Sequence, residues 1–186
     1  MWLQDRGGPV IVSGAVGVRR PGCEETVVRA PVAGAGEPAH TRAVPIRRVV
    51  VIGAGLAGLA CARTLAAAGA SVRLFDKGRA PGGRLATRRA EAAGAPLQFD
   101  HGAQHLRIEG AALASLLAEL GARPWPDADR VVGVPGMSTL ARGLAAGLSL
   151  TTGRHVVALA GGPGDWRVCH AAAARVRAGA LTEAEI

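Results

Sequence analysis

The pattern of apolar positions becomes clear at residue 48 and predicts a β-α-β unit. Arg48–Ile52 is a short, continuous run rich in β-branched residues, typical of a strand buried on both faces. Over residues 59–68 apolar side chains recur at helical spacing, and Gly69 follows as a helix stop. A second strand is predicted over Ser71–Phe75 and ends directly at Asp76.

Weaker patterns follow this unit. They predict a turn-rich loop over residues 79–83, and helices over 111–120 and 137–146. Short strands are predicted over residues 97–99, 148–152, 155–160 and 166–170. The leucine stripe of the helix at 111–120 is interpreted as core, and Trp125 and Trp166 as packing residues. The fold class is therefore α/β: a Rossmann-type βαβ FAD/NAD(P)-binding core with a small α+β insertion.

The ends of the chain carry less pattern. Residues 1–46 are rich in glycine and proline and are interpreted as a disordered or low-complexity extension, with one candidate strand at residues 10–12. Residues 47–170 are assigned to the nucleotide-binding domain, and 171–186 to an alanine-rich tail, interpreted as a frayed helix. The length of 186 residues suits one globular domain and is too short for two large ones.

Composition narrows the function classes. The formal net charge is +8, but the arginines are spread along the chain and Lys77 is its only lysine, so nucleic-acid binding is disfavoured. Cys23, Cys61 and Cys169 are far apart and form no metal-binding pattern, so no metal site is predicted. There is no membrane-length apolar stretch and no convincing signal peptide, so a cytoplasmic location is expected.

The chemistry is concentrated in the glycine-rich turn between the first strand and the helix, which reads Gly53-Ala54-Gly55-Leu56-Ala57-Gly58. The first glycine permits a tight turn, the second lets a pyrophosphate approach the backbone, and the third allows close helix–strand packing. The helix N-terminus presents free N–H groups to the phosphates. Asp76 is placed to bind a ribose 2′-hydroxyl, which favours FAD or NAD, although Lys77 and Arg79 leave NADP open. The alternative is a purely structural glycine turn.

Four further segments distinguish between these cofactors. They are Gly82-Gly83-Arg84-Leu85-Ala86-Thr87, Phe99-Asp100-His101-Gly102-Ala103-Gln104, Gly136-Met137-Ser138-Thr139-Leu140, and His155-Val156 with the later Trp166-Arg167-Val168. Together they resemble the renalase-like and amine-oxidase-like FAD-dependent oxidoreductases over about residues 47–170. The resemblance implies that the first segment lies along the pyrophosphate and the second near the flavin ring. It implies that the Val156 backbone contacts the adenine.

The residue types suit these roles. Gly83 can turn a backbone N–H towards a diphosphate, and Arg84 can neutralise that diphosphate. Gly102 and Ala103 offer a small surface for a flat ring, and Gln104 can donate and accept hydrogen bonds at the ring edge. Each has a plainer interpretation, because arginine and glycine are abundant in this chain. His101 and His105 are interpreted as loop histidines.

The resemblance implies hydride transfer from a reduced small molecule, an amine or a dihydronicotinamide, to the flavin. No catalytic acid or base is assigned. The chain looks truncated compared with this family, so its enzymatic activity is left open, and a non-catalytic dinucleotide-binding fragment is the alternative function. A basic nucleic-acid-binding protein is a third interpretation, which the lack of an aromatic platform disfavours. The oligomeric state is left open.

Overall fold

A computed structural model describes residues 23–29, 48–127, 129–162 and 165–181. They divide into two compact units: unit one takes the described residues of 1–52, 62–79 and 148–186, and unit two those of 53–61 and 80–147. The strands are β1 (Glu24–Arg29), β2 (Arg48–Ile52), β3 (Ser71–Phe75), β4 (Thr87–Ala92), β5 (Ala95–Asp100), β6 (Leu106–Arg107), β7 (Arg123–Pro124), β8 (Arg130–Val132), β9 (Ser149–Thr151), β10 (Arg154–Gly162) and β11 (Asp165–Ala172). The helices are α1 (Leu56–Ala67), α2 (Ala111–Glu119), α3 (Ser138–Ala145) and α4 (Ala173–Arg177), and a 3-10 turn covers Gly83–Leu85.

Unit one contains the parallel sheet that the apolar pattern predicts, with the order β2-β3-β9. The predicted strands β2 and β3 are confirmed with their boundaries, and the predicted helix is confirmed as α1, which begins earlier, at Leu56. The expectation that β2 is buried on both faces is wrong, because Val49 is buried but Ile52 is 49% exposed. Among the described residues β2 pairs with a strand on one side only, so the carboxyl end of the run is less covered than its composition suggests.

A second sheet of unit one is antiparallel and has the order β1-β11-β10. Strand β1 lies inside the extension predicted to be disordered, so that prediction is wrong for residues 24–29. Its side chains alternate, with Thr26 and Val28 buried and Val27 exposed, as expected for a strand with one covered face. So short an alternation of buried and exposed positions, between stretches rich in glycine and proline, is weak sequence evidence for a strand. Residues 24–29 form one because they pair with β11. The candidate strand at residues 10–12 lies outside the described residues.

Strands β9, β10 and β11 confirm the three strands predicted near the carboxyl end. Strand β11 continues through Ala172, and the short helix α4 follows, so the predicted tail begins as strand. Residues 163–164, between β10 and β11, and residues 182–186 of the tail lie outside the described ranges.

Unit two is built from the hairpin β4-β5, the small sheet β6-β8-β7 and helices α2 and α3. The two predicted helices are confirmed within one residue at each end. Strand β4 was not predicted, because its sequence Thr-Arg-Arg-Ala-Glu-Ala has little apolar alternation and its side chains are largely exposed. Of the leucine stripe only Leu117 is fully buried, and Trp125 is 54% exposed, so Trp125 is not a core residue. None of the described helices is both long enough and apolar enough to cross a membrane.

Candidate functional site

The glycine-rich turn lies in unit two and leads directly into α1. Gly53 has a φ of +99°, a backbone conformation that residues other than glycine rarely adopt. The N–H of Leu59 donates to the Gly55 carbonyl at 2.9 Å and closes the first turn of the helix. A methyl group built on Gly53 or Gly55 would meet no protein atom within 4 Å. Open space therefore adjoins a helix N-terminus, where backbone N–H groups lack intrahelical partners.

A second glycine segment runs beside this turn. The N–H of Gly82 donates to the Ala54 carbonyl at 2.8 Å, and Gly55 and Gly82 form an isolated parallel bridge. Gly82 and Gly83 both have positive φ values, +132° and +53°. A methyl group on Gly83 would come within 3.4 Å of the Gly55 Cα. The two glycine segments, 28 residues apart in sequence from Gly55 to Gly83, are thus joined backbone to backbone.

Arg84 and the segment 102–104 meet through their backbones. The Ala103 N–H donates to the Arg84 carbonyl at 2.8 Å. A methyl group on Gly102 would lie 2.1 Å from that same carbonyl oxygen, so only glycine fits there. The side chains of Arg84 and Gln104 are exposed, and Ala103 is half-buried. The glycine at position 102 therefore has a packing reason, independent of the ring-facing role expected from the resemblance.

Sequence reasoning missed the role of two polar residues, Thr87 and Asp100. The Thr87 hydroxyl donates to Asp100 Oδ1 at 2.5 Å, and the Met137 N–H donates to both oxygens of Asp100 at 3.1 Å. The Ser138 N–H donates to Thr87 Oγ1 at 3.0 Å. These contacts cap the N-terminus of α3. Both side chains lie within the motifs quoted above, but they are 51 and 37 residues from their partners at the start of α3, so no local pattern points to this role.

Gly136 completes this arrangement. A methyl group on Gly136 would lie 2.7 Å from Thr87 Oγ1, so the glycine lets the β4-β5 hairpin approach the start of α3. The Gln98 amide also donates to the Pro135 carbonyl at 2.6 Å. We call the cluster of Thr87, Asp100, Gly102 and Gly136 the junction. It links three of the motifs that carry the family resemblance.

Asp76, Lys77 and Val156 lie in unit one. Asp76 directly follows β3 and is half-buried, whereas Lys77 is exposed. One carboxylate oxygen of Asp76 accepts the Gly78 N–H at 2.6 Å, which holds the side chain in a local turn. Val156 lies in β10 opposite His170 and is half-buried, beside an irregularity of the strand.

Leu56, Ala57 and Gly58 form the first turn of α1, where the motif requires them.

Two further polar residues that the sequence analysis considered are His101 and His105. Both are exposed loop residues. Across the described residues no group of three or more His, Cys, Asp or Glu side chains could hold a metal ion.

Comparisons with known proteins match the part of the chain that contains the glycine-rich turn. Residues 51–120 match the family of NAD(P)-binding Rossmann-like domains. Hydroxyneurosporene desaturase of Rubrivivax gelatinosus is 51% identical over 57 residues, which are 30% of this chain and 10% of that protein. The chain therefore contains a Rossmann-like dinucleotide-binding domain and spans a small part of that relative's length.

Two solved structures are similar over parts of the chain. Putrescine oxidase bound to putrescine is 40% identical over 41% of this chain and 16% of its own, with a TM-score of 0.33. THI4 of Thermovibrio ammonificans is 21% identical over 72% of this chain and 50% of its own, with a TM-score of 0.47.

Proposed function

We propose that the chain binds FAD as the dinucleotide-binding part of a flavin-dependent oxidoreductase similar to renalases and amine oxidases. One observation carries the proposal: the open turn at Gly53 and Gly55 lies backbone to backbone with Gly82 and Gly83. A turn that served only chain reversal would not need a second glycine pair beside it. A diphosphate can use both, because it binds where backbone N–H groups can approach closely.

The residues present fit a dinucleotide. The first turn of α1 supplies N–H groups, and a methyl group added at Gly55 would still have no protein atom within 4 Å. Arg84 is exposed in the same unit and can add a positive charge to the phosphates. In this proposal Asp76 binds the ribose, Val156 lies at the adenine, and Gly102 to Gln104 lie along the flavin edge.

Bound FAD would supply the redox chemistry by accepting a hydride from a reduced substrate, either an amine or a dihydronicotinamide. The work left to the chain is to hold the diphosphate and the ribose and to orient the ring. We assign no general acid or base. The proposed substrate class rests on the family resemblance.

A second candidate is a nucleotide-binding fragment that holds only the ADP half of the cofactor. Exposed apolar side chains favour it: Ile52 at the end of β2, and Leu97 and Phe99 on β5. Such side chains offer apolar surface that another element could cover. Such a chain would bind ADP but not retain a flavin.

The visible absorption spectrum of the purified chain tests the proposal first. We expect a flavin spectrum, and heat release should yield FAD in a ratio near one per chain. A colourless, folded chain that binds ADP would support the fragment and overturn the flavoenzyme. A folded chain that binds neither ADP nor FAD would overturn both.

A further inference from the structure

The backbone of Asp76 is held by the last residue of β9 and the first residue of β10. The Asp76 N–H donates to the Thr151 carbonyl at 3.0 Å, and the Arg154 N–H donates to the Asp76 carbonyl at 2.9 Å. Two residues further along, the Gly78 carbonyl accepts the Gly153 N–H at 2.7 Å. The position of the Asp76 carboxylate therefore depends on where residues 151–154 are held, and not on β3 alone.

A buried histidine supports the same point from the interior of unit one. His170 on β11 is only 5% exposed, and its ring lies 4.4 Å from the ring of Phe75, centroid to centroid, at 31°. Phe75 is the last residue of β3 and immediately precedes Asp76. The Nδ1 atom of His170 is buried and has no hydrogen-bond partner among the described residues. An unpaired polar atom on a buried imidazole lowers the stability of the fold unless other contacts of the ring compensate for it.

Strand β1 supplies those contacts. Thr26 Oγ1 and His170 Nε2 share a buried hydrogen bond of 3.2 Å. Glu24, opposite His170 in the register, forms an ion pair with the side chain of Arg154. The two residues of β1 thus reach both supports of Asp76: the histidine against Phe75, and the arginine whose N–H binds the Asp76 carbonyl.

We propose that β1 is a supporting element of the ribose site, with His170 and Arg154 as positioning residues that hold Asp76 in place. The inference rests on the proposed nucleotide-binding function. It extends that function to a segment outside the nucleotide-binding motif. Loss of the Thr26 bond frees the His170 ring, which allows Phe75 to move and with it the adjoining carboxylate.

The charged groups around His170 agree with a neutral ring at this position. Burial is the main reason why the pKa of His170 lies below its ordinary value of 6.5. Glu24 on β1 opposes this shift, while Arg154 on β10 and Arg73 on β3 add to it. A neutral imidazole can share one hydrogen bond with Thr26 and stack on Phe75 without a second buried donor.

Binding of ADP and 2′-deoxy-ADP to the full chain, measured by titration calorimetry at mildly alkaline pH, tests the inference. Only ADP offers the 2′-hydroxyl to Asp76. We expect Thr26→Val and His170→Ala to weaken ADP about tenfold, the size of one hydrogen bond to a charged group, and to leave 2′-deoxy-ADP unchanged. In His170→Gln the side-chain amide lies where the imidazole Nε2 was and can bond to Thr26. This variant should restore most of the ADP affinity.

His105→Gln is the matched control, since His105 is an exposed histidine of unit two and should leave both affinities unchanged. Should the His170 variants fail to fold, the affinities of Thr26→Val and of the surface variant Glu24→Gln for the two nucleotides still test the positioning role. Equal weakening of both nucleotides would show a general loss of structure and overturn the positioning role, as would wild-type selectivity in Thr26→Val. A folded wild-type chain that binds neither nucleotide would overturn the proposed function and this inference with it.

Discussion

The glycine segments and the junction use the same residue for opposite purposes. At Gly53 and Gly55 a methyl group would meet no protein atom within 4 Å. At Gly102 and Gly136 it would lie 2.1 Å and 2.7 Å from atoms of Arg84 and Thr87. At Gly53 and Gly55 the position of a side chain is open, and at Gly102 and Gly136 a neighbouring atom occupies it. Glycines of these motifs therefore differ in whether packing requires them, and the two cases make different predictions.

The largest expected effect is on stability, from Gly102→Ala. The added methyl overlaps the Arg84 carbonyl, and neither backbone can move freely because the Ala103 N–H binds that carbonyl. We expect a loss of about 2–3 kcal/mol in the free energy of unfolding, measured by chemical denaturation. A variant of wild-type stability would show that this contact is not tight and would remove the distinction between the two regions.

Asp100→Ala tests the junction by removing its acceptor rather than its space. The Thr87 hydroxyl and the Met137 N–H both lose their partner, so α3 loses part of its N-terminal cap. We expect a destabilisation of about 1–2 kcal/mol by the same denaturation measurement. The exposed Asp127→Ala is the matched control and should stay close to the wild type. Equal stability of the two variants would contradict the capping role.

Gly55→Ala tests the open region and should separate binding from stability. The methyl group meets no protein atom, so unfolding should change by less than about 1 kcal/mol. Dinucleotide affinity should fall at least about tenfold, because the methyl takes the space of the pyrophosphate. Gly162→Ala, at another glycine with open space, is the control and should bind normally. Unchanged affinity in Gly55→Ala would argue for a structural turn.

The smallest effect concerns pH and lies outside both regions. Since burial lowers the pKa of His170 below 6.5, the unfolded chain takes up a proton first as the pH falls. The stability that a neutral His170 contributes is therefore complete above pH 6.5 and is lost as the pH falls below that value. Denaturation between neutral and acid pH should show a loss in the wild type that His170→Gln lacks. The same slope in His170→Gln would assign the loss to other groups.

Local sequence patterns predicted the elements whose apolar residues repeat at the right period. Strands β2 and β3 and helices α1, α2 and α3 were predicted in this way, with errors confined to their ends. Strands β1 and β4 were missed because neither has an apolar run, and both depend on a partner strand. The exposure of Trp125 was also missed, since burial depends on which elements surround a side chain.

The site divides in a similar manner. Gly53, Gly55 and Asp76 could be chosen from the sequence because a strand, a turn and a helix in a fixed spacing place them. The roles of Thr87, Asp100 and His170 depend on contacts between segments far apart in the chain, such as Thr26 with His170. No local pattern encodes such contacts, since each residue is ordinary within its own segment.

By itself the sequence determined that the chain contains a dinucleotide-binding βαβ unit, because that unit is local and its glycines follow from backbone geometry. Only the tertiary structure decided at which glycines the position of a side chain is open and at which a neighbour occupies it. Only it joined Gly55 to Gly82, and β1 to β11. The physical reason is that free space and hydrogen-bond partners are properties of what lies nearby in three dimensions, not of neighbours along the chain.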